Sequence, residues 1–289
     1  MTETVDALSA LSRGDWETAA ATARRAVAKR PESRLARALA EYLNGLPSPG
    51  VYDEPSAFET FIDNGANVGL YRRTIQRLRA IHAEARPRAV LDIGCGDGRV
   101  TAGVVGEWTT RVDLVEPSAD LLARAIGAVT RPGVDVIAHR SDVATFLADA
   151  HDDTTWDLVQ ATFALHATDP AERITWLRSL ARRTARLVVV EFDVPVFADR
   201  SPEHVSYLAD RYERGIREYE DHPDVVSKFL MPVLVGQLDP SRSRYTFEQP
   251  IDDWTRLLRD AGFSTSTEPI APYWWANATL ISATPVPTP

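Results

Sequence analysis

The chain has 289 residues, of which 44% are apolar and 25% charged, and it carries a formal net charge of −9. These proportions are typical of a globular protein and exclude a disordered, collagen-like or disulfide-rich chain. The acidic balance disfavours nucleic acids and anionic membranes as partners, because phosphate groups attract a basic surface. This charge therefore favours a small-molecule partner. A single cysteine, Cys95, and the lack of an apolar leader or of an apolar run of about 18 residues predict a cytoplasmic protein.

Residues 1–50 are predicted to form a helical hairpin. The segment from Val5 to about Leu46 has helical spacing, with small and apolar residues recurring over Asp15–Arg30, a break at Pro31, and a second run over Leu35–Leu43. The pair is similar to one unit of a tetratricopeptide repeat, but a single unit cannot form a solenoid. We expect it to pack on the main domain or on a second copy of the chain, in a homodimer formed through these helices.

The segment 51–87 is predicted to be a helical lid that caps a ligand site of the domain after it. It follows a link rich in proline and glycine at Leu46–Gly50. A short helix around Ser56–Asp63 is followed by a turn at Asn64-Gly65 and by a longer helix that Pro87 ends.

From residue 88 the pattern changes to short β-rich runs separated by helical stretches. The first five runs are nearly all apolar and lie roughly twenty to thirty-five residues apart, which is typical of parallel strands joined by right-handed crossovers. A segment at 195–244 is too long for a connecting loop and is predicted to be a helical insertion. The sequence therefore predicts an α/β domain at 88–284 with a seven-stranded, mostly parallel sheet flanked by helices. Its strands are predicted at Ala89–Ile93, Arg111–Val115, Val134–His139, Trp156–Ala161, Leu187–Phe192, Ser264–Thr267 and Ala278–Ala283.

A glycine-rich turn follows the first predicted strand, in the run Leu91-Asp92-Ile93-Gly94-Cys95-Gly96-Asp97-Gly98. Glycines there allow backbone N–H groups to approach a ligand closely. The spacing G-x-G-x-G differs from the G-x-G-x-x-G of a dinucleotide-binding turn, so the sequence disfavours pyrophosphate as the ligand.

This run resembles motif I of the class I S-adenosylmethionine-dependent methyltransferases, which share a Rossmann-like sheet. The resemblance extends over 88–284 and includes the run Trp254–Phe263, which is similar to the last helix and turn of that fold. It implies an enzyme with S-adenosylmethionine as cofactor, in which Glu116 holds the ribose hydroxyls and Asp142 accepts from the adenine amino group. A helix cap is the alternative role for Asp142. The implied cofactor-binding residues are Tyr71, Asp92, Gly94, Cys95, Gly96, Gly98, Glu116, Pro117, Asp142 and Val143.

A base is needed only if the methyl acceptor must lose a proton. The best candidate is His166, just beyond the fourth predicted strand, where a capping or surface role is the alternative. Glu191 and Asp193, at the end of the fifth strand, are the next candidates. The run Gln160–Phe163 lacks the Asn/Asp-Pro-Pro-aromatic signature of nucleic-acid base methylation, and no carboxylate set for a metal is visible, so no metal is predicted.

Aromatic and amide side chains outside the sheet are expected to select the substrate, since they suit an aromatic or amphipathic small molecule. The candidates are Phe58, Phe61, Asn67, Tyr207, Tyr212, Trp274 and Trp275, each with helical core as its alternative role. The sequence thus predicts transfer of a methyl group to O, N or C of a small molecule, in specialised metabolism. Three alternatives remain: a protein or peptide methyltransferase that docks through the hairpin, a cofactor-binding sensor without activity, and transfer of another arm of the cofactor.

Overall fold

The computed structural model describes residues 2–45, 55–151, 153–242, 244 and 246–287. The predicted link Leu46–Gly50 and the beginning of the segment 51–87 lie outside the described residues. No described helix is both long and apolar enough to cross a membrane.

The strands are β1 (Ala89–Ile93), β2 (Arg111–Val115), β3 (Asp135–His139), β4 (Leu158–Thr162), β5 (Leu187–Phe192), β6 (Phe263–Ala271) and β7 (Ala278–Pro285). Across the described part of the chain they form one seven-stranded sheet in the order β3-β2-β1-β4-β5-β7-β6. Neighbours from β1 to β5 are parallel, and β7 lies antiparallel to both β5 and β6. The predicted α/β fold with a mostly parallel, seven-stranded sheet is confirmed.

The helices are α1 (Thr2–Leu11), α2 (Trp16–Lys29), α3 (Arg34–Asn44), α4 (Pro55–Ile62), α5 (Ala66–Ala85), α6 (Arg99–Val104), α7 (Ala119–Val129), α8 (Val143–Asp149), α9 (Pro170–Ala181), α10 (Pro202–Glu218), α11 (Pro223–Val225), α12 (Met231–Leu238) and α13 (Ile251–Asp260). A 3-10 turn at Leu165–Ala167 follows β4, and a π-helical turn at Val226–Leu230 joins α11 to α12.

The contacts divide the chain into two compact units. The helical unit comprises Met1–Gly69, Pro195–Thr246 and Tyr273–Trp275, and the sheet unit comprises Leu70–Val194, Phe247–Pro272 and Ala276–Pro289. The predicted segment 51–87 is therefore shared between the two units, whereas the predicted insertion at 195–244 belongs to the same unit as the N-terminal helices.

Alternating strand residues bury both faces of the sheet. On β1, Leu91 and Ile93 pack in a cluster with Trp156, Trp176 and Trp254. Val90 faces a second cluster on the other side of the sheet. Since both faces are covered, the interior strands are mostly apolar, as the sequence indicated, and their exceptions Asp92, Asp113 and Gln160 are buried.

Some predicted bounds need correction. The N-terminal pattern contains a further break, because Gly14 has a φ of 77° and the Asp15 side chain accepts a hydrogen bond from Thr18 N, starting α2. The predicted pair corresponds to α2 and α3, and α1 precedes them. Trp156 makes only an isolated bridge to Thr184 before β4. The last two strands are longer than predicted.

Candidate active site

The glycine-rich turn joins β1 to α6 where the strand order changes direction. In open α/β sheets, ligands bind at such a point, outside the carboxyl ends of the strands. Gly94 has a φ of 65°, and a Cβ added to it would lie 2.5 Å from Cβ of Ala164. The turn and the loop after β4 are therefore in close contact. At Gly96, a Cβ would meet no described atom within 4 Å, which leaves room for a ligand beside the backbone.

Glu116 follows β2 and faces this turn. Its Oε2 accepts a hydrogen bond from Gly96 N at 3.1 Å, and its Oε1 accepts one from Ser118 N at 2.9 Å. Burial raises the pKa of this carboxyl, although both hydrogen bonds oppose the change. A carboxylate has about four acceptor positions, so two remain for hydroxyl donors of a ligand.

His166 and Glu191 form a pair at the carboxyl ends of β4 and β5. The 3-10 turn carries His166, whose Nδ1 lies 2.9 Å from Glu191 Oε2. Its backbone N donates to Glu191 Oε1 at 3.2 Å. The Glu191 side chain is 1% exposed and that of His166 is 15% exposed. The sequence proposed these residues as separate candidates, and the parallel pairing of β4 with β5 brings them together.

The surroundings of His166 favour its charged form. Burial disfavours the imidazolium, but the charge and the hydrogen bond of Glu191, with the charge of Glu248, raise the pKa of His166 to about 9. Arg173 acts in the opposite direction. The third candidate, Asp193, is exposed and accepts a hydrogen bond from Ile251 N at 3.0 Å, where α13 begins.

Comparison with known proteins agrees with this geometry. Residues 90–186 match a family model described as a methyltransferase domain. Residues 90–186 of this chain therefore belong to a methyltransferase domain, for which S-adenosylmethionine is the cofactor. No curated protein sequence matches the chain.

The fold of this methyltransferase is similar to solved structures at low sequence identity. Magnesium protoporphyrin IX methyltransferase from Synechocystis PCC 6803, with bound S-adenosylhomocysteine, has a TM-score of 0.54 at 16% identity, over 82% of this chain and 95% of that one. The same enzyme with bound S-adenosylmethionine gives 0.52 at 14% identity, over 82% and 93%. SCL7 from Oryza sativa gives 0.63 at 13% identity, over 97% and 99%. At these identities the likeness shows the fold, whereas the family match and motif I identify the methyltransferase domain and its cofactor, S-adenosylmethionine.

Asp92, in motif I of the methyltransferase domain, begins a buried chain of polar side chains. Its carboxylate accepts a hydrogen bond from Thr101 Oγ1. Gln160 Nε2 donates to the same hydroxyl at 3.2 Å, and Gln160 Oε1 lies 3.0 Å from His82 Nε2. Burial raises the pKa of Asp92 to about 7. The sequence contains no signal for Thr101, Gln160 or His82 as part of the site, because each lies singly on a different element.

Asp142 is a helix cap in this structure. Its Oδ1 accepts a hydrogen bond from Thr145 N and its Oδ2 one from Thr145 Oγ1, both at 2.8 Å. The bond from Thr145 N is the main cause of its lowered pKa. Val143 is buried in the core below the cap. An adenine contact by these two residues stays a prediction.

The remaining implied cofactor residues differ in their surroundings. Tyr71 packs edge-on against Phe163, with 5.8 Å between ring centroids. Pro117 is exposed. Cys95 is buried, and burial raises the pKa of its thiol, which therefore stays protonated. Its contact with the cofactor also stays a prediction.

The predicted substrate residues all lie in the helical unit and pack against one another there. Asn67 is buried and donates to Phe61 O at 2.8 Å and to Tyr219 Oη at 2.7 Å. Phe58 and Phe61 form an aromatic group with Phe229. In a second group, Tyr212 contacts Trp274 and Trp275 edge-on, and Tyr207 donates to Trp275 O at 3.2 Å. These contacts stabilise the unit, and substrate selection by these residues stays a prediction.

Metal binding was not expected from the sequence. Among the described side chains, no group of three or more His, Cys, Asp and Glu is arranged to hold a metal ion.

Proposed function

We propose that this methyltransferase acts on a small-molecule acceptor that loses a proton, and that His166 takes the proton. The observation that carries the proposal is the position of the His166–Glu191 pair. Ala164, two residues before His166, packs on Gly94 of the motif I turn. His166 therefore lies on a loop that touches this turn, and Glu191 contacts His166 from β5.

The residues around motif I fit the cofactor. Gly96 would allow its close approach, and Glu116 has acceptor positions for the ribose hydroxyls. When bound, S-adenosylmethionine supplies the activated methyl group. Alignment of the acceptor beside it accounts for much of the rate in such a reaction.

The chemistry of the pair suits an acidic O–H or N–H acceptor. Because Nδ1 of His166 bonds to Glu191, Nε2 is the nitrogen that would accept the proton as the acceptor's O–H or N–H bond breaks. Glu191 then stabilises the imidazolium. A base whose pKa is about 9 matches an acceptor of similar acidity, and a phenol, with a pKa of about 10 as in tyrosine, is such a group.

The acidic chain, with its net charge of −9, supports an acceptor other than nucleic acid. Docking of a protein substrate through the N-terminal helices receives no support from their packing, because Leu8, Leu11, Leu35 and Leu39 are fully or almost fully buried.

His166→Ala tests the proposal. We expect turnover to fall by roughly 100-fold or more, the usual contribution of a positioned base, while S-adenosylmethionine affinity stays unchanged. The assay measures transfer of the methyl label from S-adenosyl-[methyl-³H]methionine to a panel of phenols, carboxylic acids and amines, and calorimetry measures cofactor binding.

His139→Gln is the matched control. His139 also lies at a strand end and also pairs with a buried carboxylate, its Nε2 being 3.0 Å from Asp113 Oδ1, but it is not on the loop that touches Gly94. It should retain turnover. Equal turnover in His166→Ala and the wild type would remove His166 from the reaction.

A further inference from the structure

Arg173, on α9, is a buried cation that donates hydrogen bonds to neutral oxygens. The residue is 1% exposed. Nε donates to Thr168 Oγ1 at 3.2 Å, and Nη1 donates to Gln249 Oε1 at 3.0 Å. Nη2 donates to the carbonyl oxygens of Thr168 at 2.9 Å and Phe247 at 2.8 Å. The guanidinium carbon also lies 4.5 Å from the ring centroid of Trp254.

These bonds join two backbone segments that are far apart in the chain. One is the loop after β4, which carries His166 and ends at Thr168. The other is the segment before α13, where Phe247 N donates to His166 O at 2.7 Å. His166 is thus held from two sides, by Glu191 on β5 and by the segment that Arg173 fixes.

We propose that Arg173 is a positioning residue for the reaction, which clamps the loop of His166 and so fixes the imidazole against Glu191. This rests on the proposed role of His166. Burial of a cation is costly unless its hydrogen bonds are satisfied. The guanidinium is a planar, fork-shaped group with five N–H donors. It can therefore bond two backbone segments at once, which a lysine ammonium cannot reproduce.

Charge supplies a second link between the two residues. Arg173 lowers the pKa of His166, whereas Glu191 and Glu248 raise it. Glu191, Asp169 and Glu248 in turn raise the pKa of Arg173, but burial outweighs them and lowers it to about 10. The guanidinium therefore moderates the affinity of His166 for its proton, in addition to holding its loop.

The sequence contains a signal for this residue. Arg173, Trp176, Leu177 and Leu180 fall at helical spacing on one face of α9, and the other three are buried in the sheet core. A charged residue on an otherwise apolar helix face indicates a buried group with dedicated partners.

The test compares Arg173→Lys, which keeps the charge, with Arg173→Gln, which removes it. Both lose the fork, so we expect kcat to fall by roughly 10- to 100-fold in each, as for a misplaced catalytic group. KM for S-adenosylmethionine should be unchanged. The pKa of His166, measured by NMR of ring-labelled histidine, should be higher in Arg173→Gln than in Arg173→Lys.

Arg186→Lys is the control for loss of a structural arginine in the same unit, since its Nε donates to Ser282 Oγ at 3.0 Å. It should keep kcat and the pKa of His166. If Arg173→Gln does not fold, Gln249→Leu removes one acceptor of the fork and should lower kcat in the same direction.

The proposal is overturned if the Arg173 variants melt at a lower temperature but keep the wild-type kcat and the wild-type pKa of His166. A different outcome separates it from the proposed function. If His166→Ala retains turnover while the Arg173 variants still shift the pKa of His166, the clamp stands and the role of His166 as base fails.

Discussion

At the scale of single residues, the pairing of His166 with Glu191 sets a pH range. The pKa of His166 is about 9 in the folded protein, against about 6.5 for an unperturbed histidine. The resting side chain is therefore charged at pH 7, and only its neutral form can accept a proton. The same shift stabilises the fold below about pH 6.5, and this contribution is lost as the pH rises through 9.

Turnover should accordingly increase with pH through about 9. In Glu191→Gln the carboxylate charge is absent, so the pKa of His166 and the rising limb of the profile should both move to lower pH. Measurement of kcat from pH 6 to 10 with one acceptor tests this. Asp193→Asn, which changes a carboxylate near the end of the same strand, should leave the limb in place. An unchanged limb in Glu191→Gln would contradict the pairing.

The sequence predicted His166 and Glu191 singly, from their places at strand ends. It could not predict their contact, because that depends on the turn after β4 directing the imidazole toward β5. The case of Asp142 is the reverse. Its spacing fits both an adenine contact and a helix cap, and the structure shows the cap, because Thr145 supplies two donors at 2.8 Å.

At the scale of elements, the motif I turn requires glycine for packing as well as for cofactor approach. Gly98 has a φ of 78°, and a Cβ there would lie 2.6 Å from Cα of Ala125 on α7. A left-handed residue against a helix backbone cannot take a side chain without displacement of that helix.

Gly98→Ala should therefore lower the free energy of unfolding by more than about 1 kcal/mol and weaken binding of S-adenosylmethionine. Gly127→Ala is its control on α7, since a Cβ there meets no described atom within 4 Å and the helical propensity of alanine should raise stability by up to about 1 kcal/mol. Urea unfolding and calorimetry measure the two effects. If the two variants had equal free energies of unfolding, α7 would have to move away from the added methyl group at little cost, which would contradict the prediction.

Helices and strands could be predicted from the sequence where a single local pattern determines them. Apolar runs predicted the five parallel strands, and the two final strands were predicted near Ser264–Thr267 and Ala278–Ala283, with errors at the ends of several strands. The break between α1 and α2 was missed although Gly14 and Asp15 are a stop and a start signal, because the helical spacing on both sides hides it.

At the scale of the whole molecule, the helical unit is assembled from segments distant in the chain. Glu213 on α10 accepts hydrogen bonds from Ser33 Oγ at 2.9 Å and from the backbone N of Arg34 at 2.9 Å and Leu35 at 3.0 Å. One carboxylate thus caps the N-terminus of α3 from another helix. Such nonlocal pairing has no periodic signal, so the sequence placed the N-terminal helices and the insertion in separate predicted parts.

Glu213→Ala should leave the first donors of α3 without this acceptor and lower the free energy of unfolding by about 1–3 kcal/mol. Glu218→Ala, which removes an exposed carboxylate near the end of the same helix, should change it by less than about 0.5 kcal/mol. Urea unfolding followed by tryptophan fluorescence measures both. If α1 to α3 were an independent docking module, the two variants would have the same free energy of unfolding. If they belong to a single helical unit with α10, only Glu213→Ala should have a lower free energy of unfolding than the wild type.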